Sequence, residues 1–310
     1  GSMSVAEFEA HWLASWVEEF GIDGFRCDTA KHVAKSTWKL LKEYSSEALK
    51  TWRKNHQGEP GADWTDNFWM TGEHWNLGPD PNDGNGYASQ GGFDSMINFG
   101  LGCQVPSVNT WNDYANMFGK SHKLNALSYV SSHDTKLCRT DDQAQLGIML
   151  DLLPGGVQIY YGDETARVND NGGSGNDAEH GTRSDMNFPS DVSKQSDWAE
   201  NVDTLSTDFS SNETVATWQK VGQFRNRNAA VGAGDQNTTS DGSICRKYTD
   251  GDYSNAVVIH LGSASSVNVS GCFEDGTELQ DGFSGATGTV SGGSVSLSGT
   301  GRVILLELKR

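Results

Sequence analysis

Hydrophobic residues at three- and four-residue spacing open the chain and predict an amphipathic helix over Val5–Phe20. Six apolar side chains share the stripe that defines this helix: Phe8, Trp12, Leu13, Trp16, Val17 and Phe20. Gly21 follows the last turn, where glycine commonly ends a helix. A second helix is predicted over 36–55, with Ser36 as its N-cap. Two further helices are predicted at 143–153 and 214–226.

Short apolar runs between these helices predict β-strands. They lie at 24–28, 68–73, 95–99, 127–132 and 158–161. Because strands alternate with helices, the pattern predicts parallel β/α units. In a β/α barrel, side chains at the carboxyl ends of the strands converge on one rim, where the loops form the mouth. A stretch rich in Gly, Asn and Asp at 169–185 is predicted to be a long loop on that rim.

The pattern changes at about Gly232, after which no helix is predicted. Short Val-, Ile-, Ser- and Thr-rich strands, separated by Gly, Asp and Ser, predict a compact antiparallel β domain. The expected division is therefore a β/α domain at 1–232 and a β domain at 233–310. A chain of 310 residues has room for one large core and one small one.

Charge and hydropathy exclude two classes of partner. The formal net charge is −18, from 41 acidic and 23 basic residues, and such a surface repels phosphate backbones. We therefore expect no nucleic acid, whereas a neutral polysaccharide is compatible with this charge. No run approaches the roughly 18 apolar residues of a membrane span, so no membrane association is expected.

The five cysteines show no metal-ligand spacing and no dense disulfide framework. Cys245 and Cys272 both fall in the β-rich tail, where they either form a disulfide or remain thiols. Cys27 lies inside a strand motif and is predicted to be a small buried apolar residue.

Three carboxylates follow predicted strands, and their chemistry suits the hydrolysis of a glycosidic bond. This reaction needs one carboxylic acid to protonate the leaving oxygen and one carboxylate on the other side of the sugar. Arg26 precedes Asp28 by two residues and shares its strand face, so its guanidinium is expected to keep Asp28 ionised. Glu73 is expected to lie among less polar side chains than Asp28 does. Asp134, next to His133, is expected to hold sugar hydroxyls.

Five segments resemble, in the correct order, the motifs on the fourth to eighth barrel strands of the α-amylase family (glycoside hydrolase family 13). They are GFRCDTAKH at 24–32, GEHW at 72–75, FDSMINF at 93–99, SSHDT at 131–135 and GVQIYYGDE at 156–164. The resemblance spans about residues 6–232, and the β tail is similar to the family's C-terminal domain. The bacterial periplasmic maltodextrin-cleaving members are the most similar, partly through GTRSDMN at 181–187.

The resemblance implies both a fold and residue roles. The implied fold is α/β, a partial (β/α)8 TIM barrel containing strands 4–8 with their helices, followed by a small antiparallel β-sandwich. Asp28 would be the nucleophile, Glu73 the general acid/base, and Asp134 the carboxylate that grips the distorted sugar. Five residues would contact substrate: Arg26, Lys31, His32, Trp75 and His133. The alternative to substrate contact for Lys31 and His32 is that they form a solvent-exposed pair at the start of a helix.

The chain also departs from the family pattern. The first three strands and the D-x-x-x-N-H motif of the third are not found, and these parts supply much of the usual calcium site. Calcium is therefore possible but has no certain ligands, and no other cofactor is expected. Five strands do not close a barrel, which leaves exposed edges. We expect self-association or a complementary half-barrel chain, with an isolated fragment as the third alternative.

The expected function is retaining hydrolysis of α-1,4-glucosidic bonds in starch or maltodextrin, through a covalent glycosyl-Asp28 intermediate. The implied partner is an α-glucan oligosaccharide or polysaccharide, and the expected location is secreted or periplasmic. Two alternatives remain open: a glucan transferase of the same family, and a non-catalytic half-barrel that oligomerises and binds glucan weakly or not at all.

Overall fold

A computed structural model describes residues 3–119, 122–168, 181–187 and 211–310. Its contacts divide the chain into two compact units, here called unit 1 (residues 1–100 and 122–128) and unit 2 (residues 101–121 and 129–310). The boundary expected at residue 232 is a different, sequence-based division and stays a prediction. Most of the predicted rim loop, residues 169–180, lies outside the described residues.

Unit 1 alternates helices with parallel strands, as the pattern predicts. Its elements are α1 (Val5–Phe20), β1 (Gly24–Cys27), α2 (Lys35–Asn55), β2 (Trp69–Gly72), α3 (Tyr87–Gly91), β3 (Ser95–Asn98) and β4 (Asn125–Ser128). The four strands pair in chain order, each parallel to the next. Their carboxyl ends therefore lie at one edge of the sheet.

Helix α1 has the predicted bounds, but its buried face differs from the predicted one. Ser4 caps it: the hydroxyl accepts from the Glu7 amide at 3.3 Å, and the Glu7 carboxylate accepts from the Ser4 amide at 2.8 Å. Gly21 ends it with φ 65°. The buried residues are the small Ala10 and Ala14 together with Val17, because small side chains allow close packing against α2. Most of the aromatic stripe is exposed instead.

The second helix begins one residue earlier than predicted. Its N-cap is Ala34, which makes no side-chain capping bond, so the assignment of Ser36 as N-cap is wrong. The start of the helix is instead fixed by a contact with a residue outside it, because the Trp38 indole donates to the Ala30 carbonyl at 3.1 Å. Tertiary contact here takes the place of a local capping signal.

Unit 2 contains four helices and nine strands among its described residues. The helices are α4 (Val108–Phe118), α5 (Gln143–Asp151), α6 (Glu213–Arg227) and α7 (Ala229–Ala233). A two-residue strand, β5 (Gly156–Val157), follows α5, and a 3-10 turn covers Gly181–Arg183.

Residues 235–310 form the predicted antiparallel β structure. Its strands are β6 (Asp235–Thr238), β7 (Ile244–Asp250), β8 (Tyr253–Leu261), β9 (Ser266–Asn268), β10 (Glu278–Asp281), β11 (Thr287–Ser291), β12 (Ser294–Ser296) and β13 (Val303–Leu308). Hydrogen bonds join all eight strands into one sheet, in the order β6-β7-β8-β13-β10-β11-β12-β9. The two layers of the predicted β-sandwich would therefore be two parts of this single sheet. An apolar cluster that includes Val258, Val267, Val295 and Leu306 forms its core.

Two strand predictions are wrong in position. The strand expected at 127–132 is β4, at Asn125–Ser128, because the Ser131 and Ser132 hydroxyls bond to the following turn, at Cys138 and Thr135. The strand expected at 158–161 is β5, at Gly156–Val157.

The cysteines are more fully paired than expected. Cys245 is bonded to Cys272, which settles the open alternative, and Cys103 is bonded to Cys138, a pairing that was not predicted. Cys27 is a buried thiol, as predicted, and burial raises its pKa to about 12. No helix among the described residues is long and apolar enough to cross a membrane.

Candidate active site

Asp28 and Glu73 leave the same end of two neighbouring strands. Cys27, the last residue of β1, lies in register with Gly72, the last residue of β2. The Glu73 amide donates to the Cys27 carbonyl at 2.8 Å, and the Ala30 amide donates to the Glu73 carbonyl at 2.7 Å. These main-chain bonds hold the two carboxylate-bearing segments side by side.

The Asp28 carboxylate forms an ion pair with Arg26. The Arg26 guanidinium donates to Asp28 Oδ1, as the two-residue spacing on one strand face predicts. The Asp28 side chain is 67% exposed. Its free surface leaves room for attack on a bound ligand.

The Glu73 carboxylate is buried and is held by the main chain. Its residue is 6% exposed, and one oxygen accepts from the Thr29 amide at 2.9 Å. Thr29 has φ 46°, a left-handed conformation that a β-branched residue rarely adopts. This strained residue therefore points its amide at Glu73 instead of continuing β1.

A histidine and a tryptophan continue the chain after Glu73. The Tyr87 hydroxyl lies 2.7 Å from His74 Nδ1, and burial, with Lys31 nearby, lowers the pKa of His74. Trp75 is 42% exposed, and its ring packs against Phe99 with centroids 5.1 Å apart. The exposed indole face is available to a planar or ring-shaped ligand.

Lys31 and His32 lie in the 3-10 turn Ala30–His32 that follows Asp28, and both are exposed. Their position allows substrate contact, and it also suits a solvated pair.

In unit 2, Asp134 lies in a turn six residues after β4 and not at a strand end. His133 Nε2 lies 2.8 Å from Asp134 Oδ2, and Arg183 donates to Asp134 Oδ1 at 3.0 Å. The Thr182 hydroxyl donates to the His133 carbonyl at 2.6 Å. Arg183 thus contacts a candidate site residue, a contact that was not predicted although Arg183 lies within the GTRSDMN segment.

The segment that carries Arg183 is fixed by a buried arginine. Arg167 is 1% exposed and donates to the Tyr161, Thr182 and Ser184 carbonyls at 3.0–3.2 Å. Its guanidinium also lies 3.9 Å from the centre of the Tyr161 ring. Because these bonds are buried, the 181–184 backbone has little freedom, and Arg183 is presented to Asp134 in a defined place.

No group of three or more His, Cys, Asp or Glu side chains is placed to hold a metal ion in the described ranges. The acidic loop after Trp75 uses its carboxylates for its own turns. Asp80 accepts from the Gly84 and Asn85 amides, and Asp83 accepts from those of Ala88 and Ser89.

Comparisons with known proteins agree with these motifs. The alpha-amylase catalytic-domain family profile matches residues 3–239. The periplasmic alpha-amylase of Escherichia coli (strain K12) is 41% identical over 240 residues, which is 75% of this chain and 31% of that protein. The alpha-amylase of Streptomyces lividans is 31% identical over 112 residues, which is 36% of this chain and 10% of that protein.

Solved structures share the fold. AmyP, in complex with maltose, superposes with a TM-score of 0.63 at 14% identity, covering 99% of this chain and 68% of that one. An Anoxybacillus alpha-amylase superposes with a TM-score of 0.58 at 21% identity, covering 99% and 63%. This chain spans less than a third of the E. coli relative. Because the family profile covers most of its residues, the chain belongs to the alpha-amylase family of glycosidases.

Proposed function

We propose that this chain carries the catalytic residues of a retaining glycosidase that cleaves α-1,4-glucosidic bonds in starch or maltodextrin. The observation that carries the proposal is the pairing of Asp28 and Glu73 at the ends of two adjacent parallel strands. A retaining enzyme needs two carboxyl groups about 5 Å apart on opposite sides of the bond. Adjacent strand ends are a suitable support for that separation.

In the proposed mechanism the two carboxyl groups act in turn. Glu73 protonates the glycosidic oxygen while Asp28 attacks the anomeric carbon, which forms a glycosyl ester and releases the leaving sugar. Glu73, now ionised, then takes a proton from water, which hydrolyses the ester and frees Asp28. The Arg26 guanidinium donates to Asp28 Oδ1, and this contact would orient the Asp28 carboxylate for the first step.

Asp134 and His133 would hold the hydroxyls of the sugar being cleaved, and Arg183 would orient Asp134. Their mutual contacts orient the Asp134 carboxylate before substrate arrives, and such preorganisation is the source of much enzymatic rate acceleration. Trp75 would stack on a sugar ring, and Lys31 and His32 would meet the leaving-group side.

The fold of this chain is proposed to be the second half of a (β/α)8 barrel, residues 1–232, followed by a C-terminal β domain, residues 233–310. A second copy or a complementary half-barrel chain would complete the barrel. A secreted or periplasmic location is supported by the two disulfides, because oxidising compartments preserve them.

Hydrolysis of a blocked maltooligosaccharide tests the function. We expect Asp28→Asn and Glu73→Gln each to lower kcat by more than about 10³-fold, because each removes one of the two reacting groups. Asp23→Asn is the matched control, since Asp23 is an exposed carboxylate paired with Arg53. Proton NMR should show the α-anomer of the product first. The β-anomer appearing first would contradict retention.

The second candidate is a non-catalytic half-barrel that oligomerises and binds glucan weakly or not at all. That protein would release no products from a maltooligosaccharide, either unaltered or as Asp28→Asn, and calorimetry would show weak binding or none. A transferase would instead lengthen added maltose. Product analysis by chromatography separates these outcomes.

A further inference from the structure

Arg139 follows the turn at residues 131–138, here called the Asp134 turn, and its side chain is only 12% exposed. One guanidinium nitrogen, Nη1, donates to the Cys138 carbonyl at 2.7 Å and to the Ser131 hydroxyl at 3.4 Å. The Ser131 hydroxyl also accepts from the Cys138 amide at 2.8 Å. Because Ser131 and Cys138 are the first and last residues of the turn, these bonds close it at its base.

The same guanidinium reaches a second segment, at residues 160–167. Nη1 donates to Asp163 Oδ1 at 2.7 Å, Nη2 to the Gly162 carbonyl at 3.4 Å, and Nε to the Arg167 carbonyl. Asp163 is fully buried. Burial raises the pKa of Asp163 and lowers that of Arg139, and the charge of each partner opposes the effect of burial on the other. Separating the pair would leave a buried charge without a partner, so the pair stays together.

Arg167 extends these contacts to the segment that carries Arg183. Its guanidinium donates to the Thr182 carbonyl at 3.2 Å. The Thr182 hydroxyl in turn donates to the His133 carbonyl at 2.6 Å, back in the Asp134 turn. The hydrogen bonds therefore form a closed circuit, which leads from the Asp134 turn through Arg139 and Arg167 and returns to the turn.

This circuit holds both side chains that contact the Asp134 carboxylate. His133 belongs to the turn, and Arg183 belongs to the segment that Arg167 fixes. An arginine suits the central position of the circuit, because its planar guanidinium carries five N–H donors in fixed directions. A lysine would bring the same charge to Asp163, but its single nitrogen would not span the Asp134 turn and the Arg167 carbonyl at once.

We propose that Arg139 is a positioning residue, which fixes the Asp134 turn and the segment carrying Arg183 relative to each other. Its ion pair with Asp163 is the buried anchor of both. Arg139 acts through Asp134 and is assigned no contact with substrate. Its effect on turnover rests on the proposed function, in which Asp134 grips the distorted sugar, whereas its effect on the two segments does not.

Limited proteolysis tests the coupling of the two segments without relying on activity. Lys136 lies in the Asp134 turn and Arg183 in the other segment, so trypsin can cut each segment once that segment opens. The rate of such cleavage follows the population of the open form. We expect Arg139→Lys to speed cleavage after Lys136 and after Arg183 together, each about 10-fold. The reason is that hydrogen bonds are lost while the charge opposite Asp163 remains.

Two controls separate this effect from general unfolding. Cleavage after Lys247, an exposed residue of β7, should keep its rate in Arg139→Lys. The matched variant is Arg302→Lys, because Arg302 also binds a carboxylate, that of Asp142, through two nitrogens, and it should leave all three rates unchanged. Faster cleavage after Lys136 alone would contradict the coupling and overturn the proposal. Unchanged rates, or equal acceleration at all three sites, would overturn it as well.

A double-mutant cycle on maltooligosaccharide hydrolysis tests whether Arg139 acts through Asp134. We expect Arg139→Lys to lower kcat about 10-fold with little change in KM, since the grip of Asp134 is proposed to matter in the transition state. In the Asp134→Asn background the same substitution should have almost no further effect. Losses that multiply would contradict a role through Asp134. An unaltered chain that releases no product would contradict the proposed function, and the proteolysis would still decide the role of Arg139.

Discussion

Arg183 reaches Asp134 from a segment 49 residues further along the chain. The contact adds a positive charge to a carboxylate that already pairs with His133. The segment that carries Arg183 is held in place by Arg167, whose buried guanidinium donates to the carbonyls of the residues on either side of Arg183. Arg183 thus belongs to the proposed site through its position, and its role is to orient Asp134.

Replacing Arg183 should therefore impair turnover without unfolding the protein. We expect Arg183→Ala to lower kcat/KM for maltooligosaccharides by about 10-fold, because Asp134 would lose one of the two side chains that contact its carboxylate. The matched control is Lys309→Ala, which removes an exposed cation paired with Glu278. Steady-state kinetics measures both. An unchanged kcat/KM in Arg183→Ala would show that the ion pair has no role in turnover.

Asp151 is a buried carboxylate without a hydrogen-bond partner among the described residues. Asp151 is 1% exposed at the end of α5, and neither of its carboxylate oxygens has a hydrogen bond. Arg225 donates to the backbone carbonyl of Asp151 and not to its carboxylate. Burial raises the pKa of Asp151 to about 7, and Arg225 partly offsets the rise. The unfolded chain releases this proton near pH 4, whereas the folded chain keeps it until about pH 7. Stability should therefore fall as pH rises between these values.

Asp151→Asn should remove this pH dependence. We expect the variant to gain about 2–4 kcal/mol in free energy of unfolding at pH 8 relative to the unaltered chain, with little difference at pH 4. Urea titrations across this range measure the effect. The control is Asp113→Asn, which alters an exposed carboxylate on α4. Parallel stability curves for Asp151→Asn and the unaltered chain would contradict the assigned pKa.

At the scale of elements, local signals predicted both ends of α1 and predicted the strands only in part. Ser4 and Gly21 bound α1 with interactions that lie within a few residues, so its ends are readable from the sequence. β4 ends early because the Ser131 hydroxyl accepts a hydrogen bond from the Cys138 amide in the following loop. Such a loop contact leaves no periodic pattern in the sequence. The aromatic stripe of α1 was readable, but its exposure was not, because burial depends on which face meets α2.

The disulfide between Cys245 and Cys272 ties a loop to β7 in the antiparallel sheet. It closes 27 residues of chain, so it restricts the unfolded state. We expect the double variant Cys245→Ser, Cys272→Ser to lose about 3 kcal/mol in free energy of unfolding. Urea unfolding, followed by a spectroscopic signal from unit 2, measures the loss. Dithiothreitol should destabilise the unaltered chain more than the variant, and equal responses would contradict a stabilising role for this bond.

For the whole molecule, five ordered motifs were sufficient to predict the family, and the family profile confirms that prediction. The pairing of Cys103 with Cys138 was not predictable, because five cysteines allow many pairings and spacing does not choose among them. The same holds for Arg183, whose contact needs the folded chain. The motifs thus predict residues for the proposed chemistry, whereas the contacts that support those residues depend on tertiary structure.

The bond from the Thr29 amide to Glu73 also affects which sequences the site tolerates. Asp28 and Thr29 are consecutive, so one stretch of main chain carries one proposed reacting group and holds the other. The spacing of the two carboxylates is therefore set by a peptide group, which every residue except proline supplies with its N–H. Evolution is free to vary the side chain at position 29, provided that it accepts the left-handed backbone, without changing the distance on which the proposed reaction depends.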